Sequence, residues 1–279
     1  MKQQKTINKS FFLEGNGLQT GKSVKAFFYP DKEDSGITFV RRDLENKPRI
    51  RLGDLMNLAT DRRSKIGDYL ETVEHILAAL WGAEVDNIRI ELTSSEPPGL
   101  DGSAGIFLEA LKEAGIKIQK PQREFIEIKE PLWVENKESF LGIFPSQTFK
   151  ISYILEYPGP AIGRQFFSDT VDSKVFQKEI APARTFCLKE EVDFLLKQGY
   201  GKGANLKNTL VMTKDGPMDN ILKFPDEPVR HKVLDLIGDL YLLGKPIKGR
   251  VIAIRSGHKL NLELVEKIKP VADRRQTGR

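Results

Sequence analysis

The chain of 279 residues contains a single cysteine, Cys187, and only three histidines. One cysteine excludes an intramolecular disulfide, which agrees with a reducing compartment. Long apolar runs are also missing. The longest uncharged apolar stretch, Ile76–Ala83, falls far short of the ~20 residues that cross a bilayer. The N-terminus begins Met1-Lys2-Gln3-Gln4-Lys5, and the apolar triplet Phe11–Leu13 is too short for a signal-peptide core. These absences place the protein in the cytoplasm, with no transmembrane segment. No zinc-finger, RNA-binding or basic-helix pattern is present, so nucleic acid is not indicated as a partner.

The chain is 39% hydrophobic and 30% charged, which is ordinary globular composition. Its length suits one large domain or two of roughly 100–150 residues each. The net charge is +5. Lysines and acids alternate through most of the chain, as on a mixed solvated surface. Lys267, Lys269, Arg274, Arg275 and Arg279 around Pro270 make a basic tail over 270–279, expected to be a flexible terminus. The positive excess would favour an anionic ligand such as a nucleotide diphosphate.

The two halves read alike. In the first, Lys5–Glu14, Ser23–Tyr29 and Gly36–Arg41 alternate as strands separated by Gly, Asp and Pro turns. A helix over Thr72–Trp81 follows, then a strand over Asn87–Leu92 and a helix over Ser103–Ala114 with Ser103 as N-cap. The polar stretch Lys117–Arg123 reads as a linker. In the second half, Phe125–Lys129, Ser139–Phe144 and Phe149–Glu156 read as strands, Val229–Leu243 as a helix, Gly249–Arg255 as a strand and Leu260–Lys267 as a helix. Both halves are therefore strands followed by helix, strand, helix. A histidine is expected in the first turn of the leading helix of each, His75 and His231. The fold class implied is α+β, with two similar two-layer sandwiches over 1–119 and 124–269 and the active site at their interface. The second half carries extra material near 184–213, with a helix over Lys189–Lys197 and a Gly/Lys/Asn loop over Gly199–Asn208.

The helix Val229–Leu243 is apolar nearly all round, so it should be buried. At 100° per residue, His231 and Asp235 lie about 40° apart, and Asp239 continues their stripe. Bare carboxylates in a buried helix need a partner or a metal. Spacing alone leaves two readings open, a buried His–Asp hydrogen bond and a pair of metal ligands. Glu74 and His75 open the other helix. There a first-turn acid complements the helix dipole, and a histidine is commonly a satisfied core residue. The third histidine stands in Arg255-Ser256-Gly257-His258 at a strand end, where a solvated turn is the plain alternative. Two His and one Asp with an open fourth position would make a catalytic zinc shell. The order Glu74-His75 is not the HExxH pattern of zinc proteases, and Gly201-Lys202-Gly203 lacks the GK[ST] ending of a phosphate loop.

Seven segments occur together in one order: Gly17-Leu18-Gln19-Thr20-Gly21, Thr72-Val73-Glu74-His75, Glu96–Ala104, Ala183–Phe186, Leu206–Leu210, His231–Asp239 and Ser256-Gly257-His258. On these motifs, over nearly the whole length except the tail, the chain resembles the bacterial UDP-3-O-acyl-N-acetylglucosamine deacetylases. These are zinc amidases at the committed step of lipid A biosynthesis. The resemblance implies a Zn2+ cofactor on His75, His231 and Asp235, with Fe2+ an alternative occupant. It implies Glu74 as general base, and Lys232 and Thr185 as stabilisers of the tetrahedral oxyanion. His258 would be a cationic group that protonates the leaving amine, with Asp239 orienting it. Leu18, Phe186 and Arg255 would contact substrate, Arg255 at the diphosphate. The partner implied is a UDP-linked acylated amino sugar, and a monomer is expected. The insert would supply an apolar passage for the acyl chain, with Val192, Phe194, Leu195 and Leu196 as candidate lining. Cys187 reads as packing near that passage. One position departs from the family: its usual histidine in the GLHTG segment is Gln19 here, which puts any accessory role of that histidine in doubt. A binding protein that kept the fold without catalysis, and a zinc deacetylase for another acylated sugar, are the rival readings.

Overall fold

The structure is a computed structural model that describes residues 2–54, 58–60, 64–157, 159 and 162–273. In the first half the elements are β1 Gln3–Ile7, β2 Phe11–Asn16, β3 Ser23–Pro30, β4 Ile37–Arg41, β5 Arg49–Arg51, β6 Leu58–Thr60, β7 Ser64–Ile66, β8 Leu70–Glu71, α1 Glu74–Gly82, β9 Ile88–Leu92, α2 Gly105–Glu113 and β10 Ile116–Gln122. The second half continues with β11 Ile126–Glu127, β12 Leu132–Glu135, β13 Phe140–Phe144, β14 Phe149–Glu156, β15 Arg164–Thr170 and α3 Ser173–Val175, which runs into a π turn at Phe176–Ile180. After these come β16 Phe186–Leu188, α4 Val192–Lys197, β17 Leu210–Thr213, β18 Gly216–Pro217, α5 Glu227–Leu240, β19 Ile247–Ile254 and α6 His258–Asp273.

The fold is α+β, and its two main sheets share one topology. The first has the order β2-β3-β9-β4-β5 and the second β12-β13-β19-β14-β15, with β11 joining β19. In each sheet the pairing of the late central strand with its inner neighbour, β9 with β4 and β19 with β14, is parallel. The remaining pairings along each path are antiparallel. One helix precedes and one follows that late strand in both halves, so the repetition extends from element order to the order and direction of strand pairing.

Alternation on the strands sets the buried face. Ile88, Ile90 and Leu92 of β9 are fully buried, as are Leu141 and Ile143 of β13. They join Ile76, Leu77 and Leu80 of α1 and Val233, Leu234, Leu236 and Ile237 of α5 in one continuous cluster. α5 packs on β14 and β15, α6 on β12 and β13, and α1 lies against α5. That last contact requires Gly238: a Cβ there would stand 2.0 Å from the Glu74 carbonyl oxygen. The helix bearing His231, Asp235 and Asp239 therefore touches the backbone of the helix bearing Glu74 and His75.

Each half also holds an insert between its last sheet strand and its leading helix. In the first half it is the three-stranded sheet β6-β7-β8, and in the second it is β16-β17-β18 with α4. Only the second was expected.

Several expectations need correction. Lys117–Arg123 is not a linker, because Ile116–Gln122 forms β10, antiparallel to β1. It is polar since only Gln119 of that strand is buried. The segment Lys5–Glu14 divides into two strands in different sheets. α5 starts at Glu227, with proline in its first turn, so His231 sits a full turn in. α2 starts at Gly105, yet Ser103 still acts near its end, accepting the Gly105 N–H at 3.0 Å. α6 runs through Pro270 to Asp273, so the helix invades the expected tail, and residues 274–279 lie outside the described residues.

Candidate metal centre and active site

His75 on α1 and His231 and Asp235 on α5 converge at the helix–helix contact. One ligand atom from each lies within 4.8 Å of the others, and all three residues are buried. Asp235 Oδ1 is 3.3 Å from His231 Nε2 and 3.6 Å from His75 Nε2. The two imidazoles meet edge to face, with centroids 5.0 Å apart.

The hydrogen bonds around this trio bear on the two open readings. His231 Nδ1 is 3.1 Å from the Ala183 carbonyl oxygen, which can only accept, so Nδ1 carries the proton. Burial also pushes the His231 imidazolium down to about 4, so the ring is neutral near pH 7. Its bare Nε2 therefore faces a carboxylate oxygen, acceptor against acceptor, and there is no His231–Asp235 hydrogen bond. The other carboxylate oxygen is taken: Lys232 Nζ donates to Asp235 Oδ2 at 2.7 Å. Although burial opposes the Asp235 charge, Lys232 and His75 hold its carboxyl well below the usual range. Burial opposes the His75 charge too, and Asp235 outweighs it, drawing the imidazolium upward.

This donor set fits a small divalent cation. Tetrahedral zinc with bonds of about 2.0–2.1 Å places its ligand atoms about 3.3–3.4 Å apart. The separations from Asp235 Oδ1, 3.3 and 3.6 Å, are close to that edge. The Ala183 carbonyl fixes the tautomer that frees Nε2.

Glu74 and His258 stand beside the trio. Glu74 is buried, and its Oε2 has no hydrogen-bond partner among the described residues. Burial raises its carboxyl above the usual range, and the Asp239 and Asp235 charges add to this. His258 is at the start of α6, not in a solvated turn. Its Nε2 lies 3.6 Å from Glu74 Oε1, and its Nδ1 donates to Asp239 Oδ2 at 2.7 Å. Burial opposes the His258 imidazolium, but Asp239 and Glu74 outweigh it and hold the group at about 9. Asp239 is wholly buried and accepts from Asn261 Nδ2 at 2.8 Å and from Ser64 Oγ as well. Both chain entries to these groups pass through left-handed backbone, Thr72 at φ +55° before α1 and Arg255 at φ +50° before α6. Such conformations in non-glycine residues concentrate at functional sites.

A cavity of about 480 Å3 opens onto the trio. Leu18, Glu74, Thr185, Phe186, Lys232 and His258 all line it, as do Gln19 and Cys187. The Phe186 ring stands edge-on to His231 with centroids 6.3 Å apart. From α4, Val192, Leu195 and Leu196 line the cavity, whereas Phe194 is not among the lining residues and is 55% exposed. Arg255 is not among the lining residues; its Nη2 donates to Glu138 at 3.1 Å. Gln19 holds the insert in place: its Oε1 accepts the Gly201 N–H at 3.0 Å, and its carbonyl accepts the Lys202 N–H at 3.1 Å. Gly203 approaches so closely that a Cβ would meet the Gly17 carbonyl oxygen at 2.1 Å. Burial pushes the Cys187 thiol up, away from the thiolate a nucleophile needs.

Three participants had no reading in the sequence: Ser64, Asn261 and the Ala183 carbonyl. Asn261 is three residues beyond His258 on the same helix, so i,i+3 spacing was a usable signal. Ser64 arrives from an insert that lacks periodicity, and Ala183 acts through its backbone carbonyl, which a side-chain pattern does not report.

Residues 4–270 match the family described as LpxC, UDP-3-O-acyl N-acetylglycosamine deacetylase. The chain belongs to this family. It is 39% identical over 273 residues to the UDP-3-O-acyl-N-acetylglucosamine deacetylase of Chlamydia abortus, covering 96% of this chain and 97% of that protein. It is also 39% identical over 266 residues to the deacetylase of that name from Aquifex aeolicus, covering 95% and 92%. The bifunctional enzyme LpxC/FabZ of Chlorobaculum tepidum is 36% identical over 308 residues, matching 99% of this chain and 66% of its own length. Among the described residues, no helix of this LpxC-family chain is long and apolar enough to cross a membrane.

Proposed function

We propose that this LpxC-family chain is a zinc-dependent deacetylase that hydrolyses the N-acetyl group of UDP-3-O-acyl-N-acetylglucosamine. The products are UDP-3-O-acyl-glucosamine and acetate, in the committed step of lipid A biosynthesis. The carrying observation is the neutral Nε2 of His231 facing the Asp235 carboxylate at 3.3 Å, beside the unpartnered carboxylate oxygen of Glu74.

His75, His231 and Asp235 would hold the ion. When bound, zinc supplies positive charge that acidifies water and polarises the amide carbonyl. The protein's own residues carry the proton traffic. Glu74, buried and raised in pKa, takes a proton from the attacking water as general base. Lys232 and Thr185 line the cavity where negative charge grows on the carbonyl oxygen and help to stabilise it. His258, cationic and facing Glu74, stabilises the tetrahedral state and gives a proton to the departing amine. Asp239 keeps the proton on His258 Nδ1 and so points Nε2 into the site. Leu18 and Phe186 form walls beside the sugar, while Val192, Leu195 and Leu196 line the passage for the acyl chain.

The test is acetate release from the UDP-linked substrate before and after treatment with a chelator. Turnover lost to chelation and restored by zinc is expected. Full turnover in the metal-free protein would reject the metal mechanism, and no acetate from the zinc-loaded protein would reject the activity.

A further inference from the structure

The Asp239 carboxylate has no contact with solvent, and its two oxygens are served differently. Oδ2 accepts from His258 Nδ1 at 2.7 Å and from Asn261 Nδ2 at 2.8 Å, and both donors belong to α6. Oδ1 accepts from Ser64 Oγ, and Ser64 is the first residue of β7 in the other half of the chain. The Ser64 side chain is itself wholly buried. Its backbone serves a separate purpose, accepting the Thr72 N–H at 2.9 Å just before Glu74 and His75. That bond needs no hydroxyl, so among the described residues the side chain serves Asp239, apart from a 3.4 Å approach to His258 Nδ1.

We propose that Ser64 is a positioning residue for the deacetylation, clamping Asp239 from across the seam so that His258 points its Nε2 into the site. The proposal rests on the deacetylase reading above. A carboxylate bound through one oxygen can rotate about its terminal torsion, whose preference is broad. Donors on both oxygens fix its plane, and with it the direction in which Oδ2 holds the imidazole. Without the hydroxyl, Oδ1 becomes a buried charged acceptor with no partner, and the carboxylate relieves that by turning. The Nδ1 contact then bends, and Nε2 leaves its place 3.6 Å from Glu74. The three-stranded insert β6-β7-β8 thereby gains a function: it brings one hydroxyl to a group on the opposite half.

The experiment uses full-length zinc-loaded protein and measures acetate release with Ser64→Ala, Ser64→Cys, Asp239→Asn and the Ser64→Ala/Asp239→Asn double variant. Cysteine fills the space of serine with a somewhat larger sulfur that donates weakly, whereas alanine leaves a void, so the pair separates packing from hydrogen bonding. Ser64→Ala and Ser64→Cys should each lower kcat about tenfold or more, the scale on which outer hydrogen-bond partners act, with KM within about twofold. Zinc content should stay as in the unsubstituted protein. In the Asp239→Asn background Ser64→Ala should cost less than about twofold further, because the two residues act as one unit. Unsubstituted turnover in Ser64→Cys, or an equal factor for Ser64→Ala in both backgrounds, would overturn the assignment. No acetate release from the unsubstituted protein would instead overturn the deacetylase reading beneath it.

Discussion

His258 and Asp239 are joined through Nδ1 and Oδ2 at 2.7 Å, from two helices of the same half. The bond decides which ring nitrogen of His258 carries out the chemistry. Asp239→Asn can accept through its amide oxygen, but it removes the charge that favours an imidazolium. We expect this variant to keep its zinc and its KM while kcat falls on the order of 10²-fold, the usual scale of a general acid. Steady-state kinetics with elemental analysis checks this; zinc loss would instead make Asp239 part of the metal shell.

Glu74 has one carboxylate oxygen facing His258 and one without a hydrogen-bond partner among the described residues. Glu74→Gln keeps the shape and removes the base. Turnover should fall on the order of 10²–10⁴-fold with zinc retained. Acetate release near the unsubstituted rate would remove Glu74 from the reaction.

Gly238 lets α5 lie on the backbone of α1. In Gly238→Ala the new methyl would meet the Glu74 carbonyl oxygen at 2.0 Å, and backbone cannot move aside as a flexible side chain can. Overpacking of this kind costs about 1–3 kcal/mol. Thermal unfolding should show a midpoint several degrees lower. Activity should fall with it, since the same contact sets the spacing of His75 from His231.

Glu84 tests the electrostatics away from the site. Although burial opposes its charge, hydrogen bonds from Lys2 and Lys5 hold its carboxyl down at about 2 against an ordinary 4.5. Arg123 Nη1 adds a contact at 3.3 Å. With the folded pKa depressed, this contribution to stability is complete above about pH 4.5. It is lost as pH falls from there through about 2, where the unfolded chain binds the proton first. Because Lys2 is largely exposed, the contribution is about 1–2 kcal/mol at neutral pH after screening. Glu84→Gln should be less stable than the unsubstituted protein at pH 7, and denaturant midpoints should converge as pH falls to about 2. A gap that stays constant with pH would contradict the ion-pair account.

Much of the site was legible because it lies on helices. The i,i+4 stripe of His231, Asp235 and Asp239 follows from the helical period alone, and α5 carries it as expected. The repetition of the two halves was legible in element order, and the shared sheet topology extends it. What stayed hidden came from segments with no period to read. Ser64 sits in a three-residue strand. β10 alternates only among polar residues, so its pairing with β1 left no hydrophobic trace. β15 is similar, with Phe167 its only buried side chain. Arg255 was singled out by its neighbourhood to His258; its backbone is left-handed and its guanidinium pairs with Glu138 at the surface.

The central claim is that His75, His231 and Asp235 hold a zinc ion on which the deacetylation depends. Its most direct test is elemental analysis of the purified protein beside the Asp235→Ala variant, with acetate release from the UDP-linked substrate measured on the same samples. The account predicts stoichiometric zinc and turnover in the unsubstituted protein, and loss of both in Asp235→Ala. Unchanged zinc content in Asp235→Ala would contradict it.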